Sequence, residues 1–201
     1  MSTRERILDA ALQCFAEQGY SRTSLRQLAA HVGIRAPSLY NHFANKREIM
    51  QALLERSGPG RMAQIIEQLP ADLPPAALLE TVLEGLFALW RDPEDNRSMR
   101  LVCAEALHDP ELGALLETQV FQHEREQLTR LMLRSSVLGQ PERAAQWASL
   151  CITLGFARRM QLLLAGEDAA KTAAIIAESR AQFRQLAQWH GLTFEPDFAA
   201  H

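Results

Sequence analysis

The sequence predicts an all-α protein with a short N-terminal domain and a longer helical body. Ala, Leu, Gln, Glu and Arg are abundant, whereas the 201 residues include only 10 Gly and 9 Pro, a composition typical of helices. Apolar residues recur at three- and four-residue spacings, and no stretch shows the alternation of a strand. Clusters of Gly and Pro at residues 57–60 and 69–75 separate a group of short helices from a group of long ones.

Charge is divided unevenly between these two groups. The chain is 47% hydrophobic, which excludes wholesale disorder, and its net charge of −3 is the wrong sign for most proteins that bind nucleic acids. Residues 1–56 nevertheless carry eight Lys/Arg and five Asp/Glu, a net charge of +3, and the remainder carries −6. We therefore predict one domain at residues 1–56, with an anionic partner, and a second at residues 57–201.

Each short helix of the first domain has a recognisable start or stop signal. These signals predict three short helices and the start of a fourth. In chain order they are Ser2-x-x-Glu5, Gly19, Ser24-x-x-Gln27, Gly33, Pro37 and Asn45-x-x-Glu48.

The apolar pattern of the second domain predicts five longer helices, at roughly residues 75–91, 96–107, 111–136, 141–165 and 168–190. Its longest apolar stretches, 150–156 and 160–166, are separated by Arg158 and Arg159, so we expect no membrane span. The N-terminus lacks the apolar core of a signal peptide. Three cysteines without a CxxC pair fit a reducing compartment, and we expect a cytoplasmic protein.

The pattern at residues 23–43 is typical of a helix-turn-helix, in which two short helices are joined by a tight turn containing Gly. Leu39 and Phe43 give the second helix an apolar inner face, and Gly33 supplies the turn. The outer face of that helix enters the major groove in such motifs. It carries side chains able to reach phosphates or base edges, namely Ser38, Tyr40, Asn41 and His42.

Lys46 is an independent indication of an anionic partner. It lies in the first turn of the next helix, where the helix dipole disfavours a cation. A phosphate shared between Lys46 and the free backbone N–H groups of that turn would remove the conflict.

Residues 23–34, 38–43 and 45–46, together with the preceding amphipathic helix, resemble the DNA-binding domain of TetR-family transcriptional regulators. The resemblance covers about residues 4–55 and keeps the family's spacing of Tyr40, Phe43 and Lys46. It implies a homodimer of about nine helices per subunit, bound to a palindromic double-stranded DNA operator and released by a small, hydrophobic effector. The positions that would contact DNA are Thr23, Arg35, Ala36, Pro37, Ser38, Tyr40, Asn41, His42 and Lys46.

One departure from the family's pattern concerns the residue before the second helix. Many relatives carry a small Ser or Thr cap there, and this chain carries Arg35. Arg35 is a candidate for contact with a guanine or a phosphate, and the operator sequence cannot be transferred from relatives.

The helical body would supply both the effector pocket and the dimer face. Pocket candidates are Phe87, Trp90, Met99, Cys103, His108, Phe121 and Met160. Dimer-face candidates on the last two helices are Trp147, Cys151, Gly155, Ile176, Phe183 and Leu186. For both sets the alternative is that the residues pack in the core of their own chain.

Catalytic and metal sites have no support in the sequence. The histidines lack the HExxH spacing, and no Ser-His-Asp order or glycine-rich phosphate loop stands out. We therefore expect no enzyme, no cofactor and no metal. The leading hypothesis is a ligand-responsive repressor. A DNA-binding regulator without a small-molecule effector is the alternative, and an enzyme on a helical bundle is the least favoured.

Overall fold

The structure is a computed structural model that describes residues 1–70, 73–134, 138–166 and 168–191, and every regular element within those ranges is helical. The predicted all-α fold is confirmed. The helices are α1 (Thr3–Gln18), α2 (Leu25–Val32), α3 (Ala36–Tyr40), α4 (Lys46–Arg56), α5 (Gly58–Gln68), α6 (Pro75–Arg91), α7 (Pro93–Ala106), α8 (Pro110–Leu116), a π-helical segment (Glu117–His123), α9 (Glu124–Arg134), α10 (Pro141–Ala165) and α11 (Ala169–Trp189).

Local signals placed most helix ends correctly. Both predicted capping boxes are formed, at Ser2 with Glu5 and at Ser24 with Gln27. The helix predicted at 111–136 is instead divided by the π-helical segment, and residues 135 and 136 lie outside the described residues. Residues 117–123 contain neither Gly nor Pro, so nothing in the pattern indicated the wider turns.

The chain forms two compact units, and neither is continuous in sequence. The first comprises Met1–Arg61 and Pro93–Glu117, and the second comprises Met62–Asp92 and the described residues from 118 onward. The sequence analysis placed one boundary, at residue 57. The structure also joins α7 and α8 to the N-terminal helices.

Polar contacts explain why α7 belongs to the first unit. Arg56 at the end of α4 pairs with Asp9 of α1 at 2.5 Å and with Glu94 of α7 at 2.8 Å. The buried hydroxyls of Ser57 and Ser98 lie 3.1 Å apart. These contacts tie α1, α4 and α7 together around the buried side chains of the unit.

The second unit has its own apolar core. Side chains from α6, α9, α10 and α11 form it, including Phe87, Trp90, Trp147 and Phe183. The ring of Phe87 meets Trp90 edge-on at 5.4 Å and Phe183 at 6.5 Å. Arg180 of α11 lies over the same ring and pairs with Glu84 of α6, which fastens α11 to α6.

Helix α10 is, among the described residues, the one long and apolar enough to cross a membrane by length and mean hydropathy. The sequence analysis expected no such stretch because it gave more weight to Arg158 and Arg159. The finding is weak evidence for a membrane, since core helices pass the same test. Only 28% of the apolar stretch is buried within the chain.

Candidate nucleic-acid interface

The turn between α2 and α3 is closed by the backbone of Gly33. Its φ of 76° and ψ of 30° lie in the left-handed region, where glycine avoids the penalty of a Cβ. The Gly33 N–H donates to the carbonyls of Ala29 and Ala30, and the Ile34 N–H donates to Ala29 at 3.0 Å. Arg35 is then extended, with φ −75° and ψ 145°, and α3 begins. Three residues therefore connect α2 to α3, which is the short turn that the motif requires.

Two arginines of α1 contact the residues on either side of the turn and α3. Arg6 donates through Nη2 to the carbonyl of Val32, the last residue of α2, at 2.7 Å. Arg4 lies over the ring of Phe43 at 5.1 Å. Leu39 and Phe43 are buried, as predicted, but α3 ends at Tyr40, so Phe43 lies beyond the helix rather than on its inner face. The sequence analysis missed these contacts, which only the fold reveals.

The outer face of α3 is open. Tyr40 is 50% exposed, Arg35, Pro37, Asn41 and His42 are exposed, and Ala36 and Ser38 are partly buried. Arg35 makes no side-chain hydrogen bond to cap the helix. The seven predicted contact residues between positions 35 and 42 therefore lie on α3 or directly beside it, with the buried Leu39 among them.

The other two predicted contact residues, Lys46 and Thr23, are both engaged with their own chain. The Lys46 ammonium donates to the carbonyls of Tyr20 at 2.6 Å and Ser21 at 3.3 Å, and it lies 4.5 Å from the centre of the Tyr20 ring. Burial lowers the pKa of Lys46. Thr23 is buried, and its hydroxyl and N–H both donate to the carbonyl of Gly19.

The predicted effector residues are not brought together within one unit. Met99, Cys103 and His108 belong to the first unit. Phe87, Trp90, Phe121 and Met160 belong to the second. Phe87 and Trp90 are interior residues of the second core, whereas Phe121 and Met160 are partly exposed and Phe121 packs on Phe156 at 4.9 Å.

The predicted dimer-face residues mostly face inward. Buried within the second core are Trp147, Cys151, Ile176, Phe183 and Leu186. Gly155 is partly buried, and a methyl group there would meet the Phe183 ring at 3.6 Å. The structure therefore favours the alternative, in which these stripes pack in their own chain. An apolar period on a helix indicates burial but does not indicate which surface covers it.

The structure also places the candidate metal ligands and two of the three cysteines. No group of three or more His, Cys, Asp or Glu that could hold a metal ion occurs among those residues. Cys14 and Cys151 are buried free thiols, and burial raises the pKa of both.

Comparison with known proteins identifies the N-terminal fold. Residues 7–53 match the model of the tetR family of bacterial regulatory proteins. The uncharacterised HTH-type transcriptional regulator YezE of Bacillus subtilis is 34% identical over 120 residues, 56% of this chain and 60% of that protein. The repressor AcnR of Corynebacterium efficiens is 30% identical over 117 residues, 57% of this chain and 56% of that protein. The matched region therefore spans 60% or less of the length of these relatives.

Solved structures share the fold over nearly the whole chain. A TetR-family regulator from Mesorhizobium loti superposes with a TM-score of 0.72 at 20% identity, covering 93% of this chain and 96% of that one. A SmeT–triclosan complex superposes with a TM-score of 0.71 at 20% identity, covering 90% and 91%. Residues 7–53 are therefore similar to the tetR family of bacterial regulatory proteins, and the chain shares the fold of these solved structures.

Proposed function

We propose that the protein is a transcriptional regulator, most simply a repressor, that binds a palindromic DNA operator as a homodimer. The observation that carries the proposal is the exposed outer face of α3. This helix is the second of a helix-turn-helix that Arg4 and Arg6 contact from α1. Residues 1–56 would bind DNA in the cytoplasm, and residues 57–201 would supply the dimer face and the response to an effector.

Arg35, Ala36, Pro37, Ser38, Asn41 and His42 would face the bases, and Tyr40 and Lys46 would face phosphates. For Lys46 this requires the ammonium to donate to a phosphate in addition to its present carbonyl acceptors, or in place of them. Thr23 would support the loop behind the interface, because its donors are used within the chain.

A second copy of the chain would cover the exposed faces of α10 and α11. Leu150, Thr153, Ala157, Met160 and Leu164 follow the alternating three- and four-residue spacing of a helix–helix seam, and all are exposed or partly exposed. Exposed alanines recur in the same way on α11, at Ala170, Ala174, Ala177 and Ala181. Small side chains let helices approach closely, so a four-helix contact between two subunits fits both helices.

A small, hydrophobic effector would act through the body. The triclosan bound to SmeT is a precedent in a protein of the same fold. Partly exposed Phe121 and Phe156 offer an apolar contact within the second unit. An effector that binds one spacing of the two heads more tightly than the other would shift the population and release DNA.

Selection of bound duplexes from a random pool by the purified full chain tests the DNA-binding role. We expect an inverted repeat whose half-sites lie about 10 base pairs apart, roughly 34–36 Å, or a multiple of that spacing. Failure to enrich any sequence, or enrichment of a site without two-fold symmetry, would overturn the proposal.

A regulator without an effector remains the alternative. A thermal-shift screen with apolar compounds, followed by release of bound operator, distinguishes the two. Compounds that raise the melting temperature and release DNA support the effector, and binding of DNA unaffected by any of them supports the alternative.

A further inference from the structure

The unit that contains the recognition helix is electrically neutral, although its N-terminal segment is basic. Residues 1–61 carry nine Lys/Arg and five Asp/Glu. Residues 93–117, which complete the same unit, carry two Lys/Arg and six Asp/Glu. The unit therefore carries eleven Lys/Arg and eleven Asp/Glu side chains. The acids of residues 93–117 balance the positive charge of the segment proposed to bind DNA.

One of these acids makes a direct ion pair beside the proposed phosphate contact. Arg47 follows Lys46 in the first turn of α4 and pairs with Glu111 of α8. Both side chains are more than half exposed, at 56% and 59%, so a phosphate could reach the guanidinium if the carboxylate did not hold it. An exposed pair of this kind adds little to stability, which leaves its effect on the local field as its larger consequence.

Two further acids, Glu105 near the end of α7 and Asp109 at the N-cap of α8, act on Tyr20 and Lys46. Burial raises the pKa of Tyr20, and the charges of Asp109 and Glu105 raise it further. The charge of Glu105 also opposes the lowering of the Lys46 pKa by burial. Asp109 is also joined to Glu111, since its carboxylate accepts from the backbone N–H of Glu111 at 2.9 Å.

We propose that Glu111, supported by Glu105 and Asp109, restrains DNA binding by holding the Arg47 guanidinium and repelling phosphate. This inference rests on the proposed DNA-binding function and assigns a regulatory contact to the same site. Any displacement of α8 from α4 would release Arg47 to a phosphate and remove a carboxylate from its vicinity. Binding strength would then depend on how the first unit is packed internally as well as on the spacing of the heads.

The direct test is Glu111→Gln in the full chain, with affinity for the selected operator measured across a salt series. At about 0.1 M salt we expect three- to tenfold tighter binding. The slope of log K against log salt should steepen by about 0.9, the value for one additional phosphate contact on duplex DNA.

Glu94→Gln is the matched control. It removes the same charge from the same unit, but Glu94 pairs with Arg56 at the other end of α4. Arg47 and Arg56 are nine residues apart, about 13 Å along a helix, which exceeds the Debye length of about 8–10 Å at these salt concentrations. We expect its operator affinity to stay within about twofold of the wild-type value.

A double-mutant cycle identifies Arg47 as the released group. In an Arg47→Gln background, Glu111→Gln should lose most of its gain in affinity and its steeper slope. The inference is overturned if Glu111→Gln changes neither quantity, if Glu94→Gln gains equally, or if the gain persists without Arg47. Absence of DNA binding by the wild-type chain would instead overturn the proposed function.

Discussion

At position 35 the chain places a cation where a helix usually has a capping side chain. Arg35 makes no capping hydrogen bond and is exposed immediately before α3. A Ser, Asp or Asn cap would stabilise the helix by about 1 kcal/mol, and the positive end of the helix dipole disfavours Arg. Because Arg35 does not stabilise its own helix, we expect its guanidinium to contact DNA.

We predict that Arg35 reads a guanine in each half-site. Arg35→Ala should reduce discrimination at one base pair by about 1–3 kcal/mol, since a bidentate Arg–guanine contact is lost. Competition between operators that differ at that base pair measures the effect. Arg143→Ala removes an exposed cation from α10 and should leave the preference intact. A uniform loss of affinity for all sequences would make Arg35 a phosphate contact.

Lys46→Ala should weaken binding to all sequences and flatten the salt dependence by about 0.9, because one phosphate contact is lost. Tyr40→Phe should weaken binding without changing the slope, because it removes a neutral hydroxyl. Titrations of operator and random duplex at several salt concentrations measure both. If Lys46→Ala lowers affinity at constant slope, Lys46 acts only by bracing the carbonyls of Tyr20 and Ser21.

At the scale of the element, the α2–α3 turn depends on one backbone conformation. Only a residue without a Cβ takes the left-handed region at no cost, and Gly33 also donates the hydrogen bonds that end α2. The angle at which α3 leaves α2 follows from that residue, so Gly33 links fold stability to the presentation of Arg35 and Tyr40.

Gly33→Ala should destabilise the protein by about 1–2 kcal/mol because an alanine at positive φ is strained. Urea denaturation of the full chain measures the loss. Gly139→Ala is the control, since Gly139 also has open space around it but its φ is not positive. Equal effects of the two substitutions would contradict the backbone argument.

The elements that the sequence predicted best are those with local signals. Capping boxes at Ser2 and Ser24, and the Gly33 stop, depend on residues within a few positions of one another. The π-helical segment has no such signal. The apolar stripes that include Trp147 on α10 and Phe183 on α11 are buried in the core of the second unit, and that packing depends on helices distant in sequence.

At the scale of the whole molecule, two subunits are needed to read both halves of a palindrome. The seam proposed on α10 contains Leu150 and Leu164, which are 49% and 81% exposed in the single chain. In a two-fold symmetric interface each residue occurs once in each subunit. A substitution at either position therefore changes two contacts in the dimer.

The double substitution Leu150→Glu with Leu164→Glu should weaken dimerisation at least tenfold, since each buried leucine contributes about 1.5–3 kcal/mol. Sedimentation velocity measures the shift toward monomer, and operator affinity should fall with it. Leu107→Glu introduces charge at a leucine that is 85% exposed in the first unit and should leave the dimer unchanged. A dimer unaffected by the double substitution would rule out this face.

The chain crosses between its two units at residues 61–62, 92–93 and 117–118. Recombination that exchanges residues 1–56 between relatives would therefore leave Arg56 and the carbonyl of Leu53 facing a foreign α7, without their partners Glu94 and Ser98. A graft that retargets such a protein to a new operator should carry residues 93–117 along with the N-terminal segment. The exchangeable module is a discontinuous set of helices rather than a contiguous stretch of gene.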